Sequence, residues 1–238
     1  LSVRVDHSRY ADSRWYTGSG IYRDVWLIAA PEIHLAQWGT GWHATSLTNR
    51  QATIAVDMEV QKHIATNDRL ELSATLYDAA GKQVAQRRTR VSDGKEGITK
   101  ENLTLKITNP HRWNLDDPYL YTLKTELLSN GQRIDGCETK VGLRTLKFDP
   151  NKGFALNDNW MKVKGVCLHH DAGVLGAVVP PEVWERRLNN LKEIGVNAIR
   201  MSHNPQAPVV YDLCDRLGLL IMDEASDEWE FPKRKWVK

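Results

Sequence analysis

Three short apolar runs in the last third of this 238-residue chain each end in a cluster of polar, chemically capable side chains. Residues 161–168 lead into His169, His170 and Asp171, and residues 196–201 into Ser202, His203 and Asn204. Residues 219–222 lead into Asp223, Glu224, Asp227 and Glu228. Helical patterns separate the three. Strands that alternate with helices run parallel, and a β/α barrel or open α/β sheet gathers its functional groups at the carboxyl ends of such strands. The repetition therefore predicts a parallel sheet with one polar wall.

The intervening helices are well marked. Pro180 and Pro181 open the first, Trp184, Leu188 and Leu191 fall at i, i+4 and i+7, and Gly195 closes it. The second starts near Pro208, turns Val210, Leu213, Cys214 and Leu217 to one side, and stops at Gly218. A (β/α)8 barrel needs eight such units and ~250 residues. About three are present, so residues 146–238 read as the first part of a TIM barrel, entered through a hairpin at 148–159.

Upstream, residues 31–145 read as all-β. Ile54, Val56, Met58 and Val60 alternate with polar neighbours, as do Leu70, Leu72, Ala74 and Leu76, and Leu103, Leu105 and Ile107 share a face. Turns fall at Gly81–Lys82 and Asn130–Gly131, with strands at 119–127 and 133–141. Short strands at this spacing, roughly seven over ~100 residues, describe an immunoglobulin-like sandwich. The Cys…Trp…Cys pattern of antibody domains is missing. Residues 1–30 predict a strand at the start, a Gly/Ser-rich turn at 17–20 and a second strand at 21–29. That segment is too short to bury a core of its own, so it reads as the end of a larger β domain. The expected fold class is multidomain, β plus α/β.

Charge and composition narrow the function. With 32 basic and 30 acidic residues the net charge is +2, no signature of a nucleic-acid partner; Arg87, Arg88, Arg90 and the basic run 233–235 read as solvated faces. No apolar stretch reaches the ~20 residues that span a membrane, so neither nucleic acid nor membrane is an expected partner. Cys137, Cys167 and Cys214 form no CxxC pair, and an odd number argues against a disulfide framework. Cys167 and Cys214 read as buried thiols. The residues from Leu1 read as strand and not as a targeting segment, which leaves periplasmic, secreted and cytoplasmic locations open. Of nine tryptophans, Trp229 is the best placed to stack on a sugar ring.

The chemistry of the strand ends stays open at this level. Adjacent residues on a strand face opposite ways, so His169, His170 and Asp171 are not chelators of one metal; a polar strand end without function is the alternative. The carboxylates of residues 223–230 suit a solvated loop, a hard cation held through oxygen, or sugar hydroxyls. Two carboxylates ~5 Å apart also perform retaining glycoside hydrolysis.

Several sequence motifs point further. The stretches Lys164-Gly-Val-Cys-Leu-His-His-Asp171, Arg200-Met-Ser-His-Asn-Pro205 and Met222-Asp-Glu-Ala-Ser-Asp-Glu-Trp229 resemble the first three barrel-strand motifs of glycoside hydrolase family 2. Gly20-Ile-Tyr-Arg-Asp-Val25 is similar to the family's signature at the end of its sugar-binding jelly roll. Trp113 with Pro118-Tyr-Leu-Tyr-Thr-Leu123, and Val141-Gly-Leu-Arg-Thr145, are similar to its immunoglobulin-like domain. The stretch from His169 to Ala177 is most similar to bacterial β-galactosidases.

The resemblance implies domains at 1–30 (end of the jelly roll), 31–145 (immunoglobulin-like) and 146–238 (start of the barrel). It also implies hydrolysis of terminal β-galactosides with retention, by an acid/base and a nucleophile glutamate that the family carries after barrel strands 4 and 7. Neither position falls within these residues, which alone are expected to be inactive. His169 and His203 are implied as hydrogen-bonding partners of galactosyl hydroxyls. Asn204, Asp171, Trp229 and Arg14 are further substrate contacts, Arg14 standing where some galactosidases carry an aspartate, with Asp12 nearby. Glu228 matches a Mg2+ ligand of the family, while Glu230 replaces the histidine that some members add. No organic cofactor is implied, and a homo-oligomer is expected. A β-glucuronidase or β-mannosidase of the same family, and a non-catalytic carbohydrate-binding module, are the competing readings.

Overall fold

The computed structural model describes residues 2–6, 8 and 20–226. Arg14, Glu228 and Trp229 lie outside the described residues, as do Asp12, Asp227 and Glu230. The chain divides into two compact units, one of Leu27–Trp160 and one of Leu1–Trp26 together with Met161–Lys238.

The first unit is a β-sandwich of seven strands: β1 (Ile33–Leu47), β2 (Gln51–Lys62), β3 (Leu70–Tyr77), β4 (Gln83–Arg90), β5 (Gly97–Thr108), β6 (Tyr121–Ser129) and β7 (Gln132–Val141). They pair antiparallel in two sheets, ordered β1-β2-β5 and β4-β3-β6-β7. This is the expected immunoglobulin-like arrangement of aligned sheets over one core. The predicted inward faces are the ones buried: Ile54, Val56, Met58 and Val60 from β2, Leu72, Ala74 and Leu76 from β3, and Leu103 and Leu105 from β5. Turn chemistry fixes the registers. Asn130 and Gly131 both have positive φ, 51° and 84°, the mirror-image turn that matches the twist of a tight hairpin. At the β3–β4 turn the Asp78 carboxylate accepts the N–H groups of Ala80 and Lys82, at 3.0 and 2.8 Å.

β1 is the least regular strand and the least legible beforehand. Its pairing with β2 shifts between Leu35 and Thr40, where Trp38 has a φ of 56°. A Cβ at Gly39 would lie 2.8 Å from that of Ala36 and 2.9 Å from that of Glu59, so only glycine fits the bulge. The strand predicted at 21–29 does not form. Residues 20–32 find no ladder partner among the described residues, and Val25, Trp26, Leu27 and Ile28 are exposed.

The first unit runs past Thr145 to Trp160 because a small sheet follows, β8 (Leu146–Asp149), β9 (Gly153–Leu156) and β10 (Asn159–Met161), ordered β10-β9-β8. Asn157, at a φ of 51°, is the seam. Its amide donates to the Trp113 carbonyl at 2.9 Å and accepts the Thr145 N–H at 3.0 Å. Trp113 is fully buried, and the Arg144 guanidinium sits 4.6 Å from its ring.

The second unit contains β11 (Gly165–Leu168), α1 (Pro181–Glu193), β12 (Ala198–Met201), α2 (Pro208–Leu217) and β13 (Leu220–Met222). The three strands are parallel, in the order β11-β12-β13. Both helices begin at proline, α2 ends on Gly218 with a φ of 75°, and Trp184, Leu188, Val210, Leu213 and Cys214 pack beneath the sheet with Ile199 and Met201. The predicted run 161–168 is two strands and not one. Residues 162–164 leave the ladder, and Asn197 takes over, accepting from the Lys164 N–H at 2.8 Å and donating to the Lys162 carbonyl at 3.0 Å. Among the described residues no helix is long and apolar enough to cross a membrane.

Asn157→Ala should cost the first unit about 1–3 kcal/mol for the orphaned Thr145 and Trp113 backbone groups, plus ~1 kcal/mol for the left-handed φ. The measurement is urea unfolding. A midpoint equal to that of the unaltered protein would remove Asn157 as the seam.

Candidate functional site

Strand parity decides which groups face which way. On β12, Ile199 and Met201 turn into the helix layer and are fully buried, so Arg200 and Ser202 project from the other face. On β11, Val166 and Leu168 pack with the helices, which turns Cys167 to the face of Arg200. Cys167 is therefore exposed, not buried as expected, while Cys214 is buried as expected.

This face carries a connected set of polar groups. The Arg200 guanidinium donates to Cys167 Sγ at 3.3 Å and to Ser202 Oγ at 3.1 Å. Its Nη2 lies 2.5 Å from Glu224 Oε1. Glu224 reaches it from the loop after β13 and places Oε2 2.9 Å from His203 Nδ1. The His203 ring in turn meets the His169 ring edge to face, centroids 5.3 Å apart at 78°. Two neighbouring strand ends thus present their imidazoles side by side. A cis peptide joins Ser202 to His203.

The other predicted residues separate from this pair. His170 points elsewhere, stacking on Tyr22 at 5.7 Å, and lines a cleft with Trp26, Gln206 and Pro208. Asp171 is used by its own loop: its Oδ2 accepts the Gly173 N–H at 3.4 Å, and its carbonyl accepts from Arg187 of α1 at 3.0 Å. Asn204 is half-buried directly after His203. Arg14, Trp229 and Glu228 lie outside the described residues. No group of three or more His, Cys, Asp or Glu is placed to hold a metal ion among the described residues.

Arg200 and Glu224 were quoted in motifs but given no role in advance. The signal was present: a lone arginine within the apolar run Ala-Ile-Arg-Met of a parallel strand needs an acidic partner, and the nearest acids follow the next strand.

The ionisation of these groups follows from their neighbours. Burial pushes the Glu224 carboxyl up, but hydrogen bonds from His203 and Arg200 together outweigh it and hold the group below its ordinary range. The hydrogen bond from Arg200, with one from Ser202, holds the Cys167 thiol below its usual value. Desolvation in the core pushes Cys214 up to about 12. Burial lowers His170, against a smaller opposing effect of Asp171. Glu224 is held in place by its loop, because Tyr211 Oη donates to Asp223 Oδ2 at 2.9 Å and accepts the Gln206 N–H at 3.0 Å.

Iodoacetamide at about pH 8 should therefore label Cys167 well before Cys214 in the folded chain, since the thiolate is the reacting form. Peptide mapping over time checks the order. Equal rates at the two thiols would show that Arg200 does not stabilise the Cys167 thiolate.

Comparison with known proteins fits this geometry. Glycosyl hydrolases family 2 matches residues 37–144, and the TIM barrel domain of the same family matches residues 150–230. The chain is 44% identical over 235 residues to a beta-galactosidase of Bacteroides ovatus, covering 98% of this chain and 27% of that protein. The crystal structure of a family 2 glycosyl hydrolase from Bacteroides cellulosilyticus superimposes with a TM-score of 0.90 at 35% identity, covering 94% of this chain and 31% of that one. Beta-glucuronidase 2 of Bacteroides uniformis, covalently bound to cyclophellitol-6-carboxylate aziridine, gives 0.86 at 28% identity, over 97% of this chain and 29% of that one. The chain thus spans between a quarter and a third of the length of these relatives. With two domain matches in sequence order and a paired-imidazole strand end at the matching barrel motifs, the chain belongs to glycosyl hydrolases family 2.

Proposed function

We propose that these residues form the glycone-holding wall of a retaining β-galactosidase. His169 and His203 contact galactosyl hydroxyls, and Asn204, Asp171, Arg14 and Trp229 supply secondary contacts. The two carboxylates of the double displacement, one protonating the leaving oxygen and one forming the glycosyl-enzyme, come from positions outside these residues. Imidazoles that hydrogen-bond ring hydroxyls accelerate the reaction to the extent that those bonds strengthen as the sugar distorts. Glu228 is proposed to hold Mg2+, a hard cation that oxygen ligands suit, while Glu230 stands where some members of the family add a histidine ligand.

One observation favours a neutral glycone. Arg200 stands on the same face as His203, and its charge is matched by Glu224 at 2.5 Å. A glucuronide brings a carboxylate that needs an unmatched cation, whereas galactosyl hydroxyls need only hydrogen-bonding partners. The 44% identity to a beta-galactosidase supports the same reading. A β-glucuronidase is the second reading, favoured by the likeness to the Bacteroides uniformis enzyme.

With the full-length protein, nitrophenyl β-galactoside should be hydrolysed with a higher kcat/KM than the β-glucuronide. His203→Ala should lower kcat/KM on the galactoside about 10–100-fold, the worth of one hydrogen bond in the site. Faster turnover of the glucuronide would establish the second reading, and an unchanged kcat/KM in His203→Ala would remove His203 from the glycone contacts.

A further inference from the structure

The cleft that His170 lines in the second unit holds a buried polar group without a partner. Gln206, in the loop between β12 and α2, is 3% exposed. Its Nε2 donates to the Leu168 carbonyl at 3.3 Å, and its Oε1 meets no donor among the described residues. Turning the amide over would set Oε1 against that carbonyl, acceptor against acceptor, so the two atoms are placed as their chemistry requires. A buried acceptor is costly to leave unmatched. Gln206 lines the cleft, whose volume is about 610 Å3, within the ~300–1,000 Å3 of small-ligand sites.

The other lining groups narrow the ligand. Trp26 is 78% exposed and holds an aromatic face out to water. The remaining rings are already covered. Tyr22 carries the His170 ring at 5.7 Å and the Arg23 guanidinium at 5.3 Å, and Trp184 is buried with Arg187 at 4.8 Å. Asp24 and Asp212 line the cleft as exposed carboxylates, while Arg23 Nη2 is engaged by the Pro205 carbonyl at 2.7 Å. The cleft thus offers one open aromatic face and three accepting groups. A cationic ligand would need the ring faces that two guanidiniums occupy, and an anion would meet two carboxylates. A neutral ring rich in hydroxyl donors, with C–H surface to lay on Trp26, matches what is left.

We propose that this cleft is a second saccharide-binding site, in which a neutral sugar stacks on Trp26 and donates a hydroxyl hydrogen bond to Gln206 Oε1. The site uses neither His169 nor His203, so it fails or holds independently of the galactoside reading.

The probes are methyl α-galactoside, melibiose and maltose, neutral saccharides whose α-linkages a β-glycosidase leaves intact. Ligand-observed NMR titration of the full-length protein should show at least one of them binding with millimolar affinity. Trp26→Ala should weaken that binding about tenfold, the worth of one aromatic contact. Gln206→Met keeps the volume and removes the acceptor, and should weaken it about tenfold as well. The Leu168 carbonyl still accepts the Ser202 N–H at 3.0 Å in that variant; should it nevertheless fail to fold, Trp26→Ala, altered at the surface, carries the test. Both variants should turn over the enzyme's own nitrophenyl substrate, galactoside or glucuronide, at the unaltered rate, and His203→Ala should leave the affinity for the probe unchanged.

No binding of any probe at tens of millimolar, which leaves Gln206 Oε1 to water alone, overturns the site. So does binding that persists in both variants, binding that His203→Ala abolishes, or binding of tetramethylammonium in preference to the saccharides.

Discussion

A parallel strand offers its side chains two faces, and in the second unit the helices have already taken one. The consequences run through the whole site. Ile199 and Met201 fill the space above α1 and α2, so Arg200 has nowhere to go but the opposite face, and the same parity turns Cys167 toward it. A guanidinium on that face needs acceptors, and Glu224 supplies the strong one. The carboxylate then has a second oxygen in reach of His203. The orientation of the imidazole thus traces back, through one ion pair, to the choice of apolar residues at positions 199 and 201.

Amide side chains play a comparable part wherever the chain leaves a ladder. Asn197 closes the break between β10 and β11 by serving one N–H and one carbonyl of the departing segment. Asn157 does the same between the sandwich and the small sheet that follows it. A planar amide offers a donor and an acceptor about as far apart as those of a backbone strand. It therefore imitates a missing strand where none is available. Both asparagines keep backbone groups satisfied where the chain passes from one sheet to the next.

Much of this was legible in the sequence because the relevant signals are local. The alternation of β2 and β3, the prolines that open both helices and the glycine that ends α2 each concern a few consecutive residues, and each recurs in the structure. The gathering of polar strand ends on β11, β12 and β13 was legible for a related reason: parallel strands in register bring their ends together. What failed depended on partners distant in sequence. The strand predicted at 21–29 had the right composition and found no neighbour among the described residues. The run 161–168 looked continuous because apolarity does not reveal which residues pair, and residues 162–164 pair with a side chain. Cys167 was read as buried from its apolar neighbours, although alternation along the strand turns it away from the face on which Val166 and Leu168 pack against the helices.

The Arg200–Glu224 pair shows why one strand alone does not reveal the character of a site. An arginine among polar strand ends invites the reading of an anion-binding site, and the motif by itself permits it. The carboxylate 2.5 Å away offsets that charge and ties the arginine to the loop after β13. A partly exposed pair of this kind gains little stability; its structural consequence is that the second carboxylate oxygen meets the His203 ring. It places the His203 and His169 rings beside a charge-matched pair, the surrounding that the proposed uncharged glycone calls for.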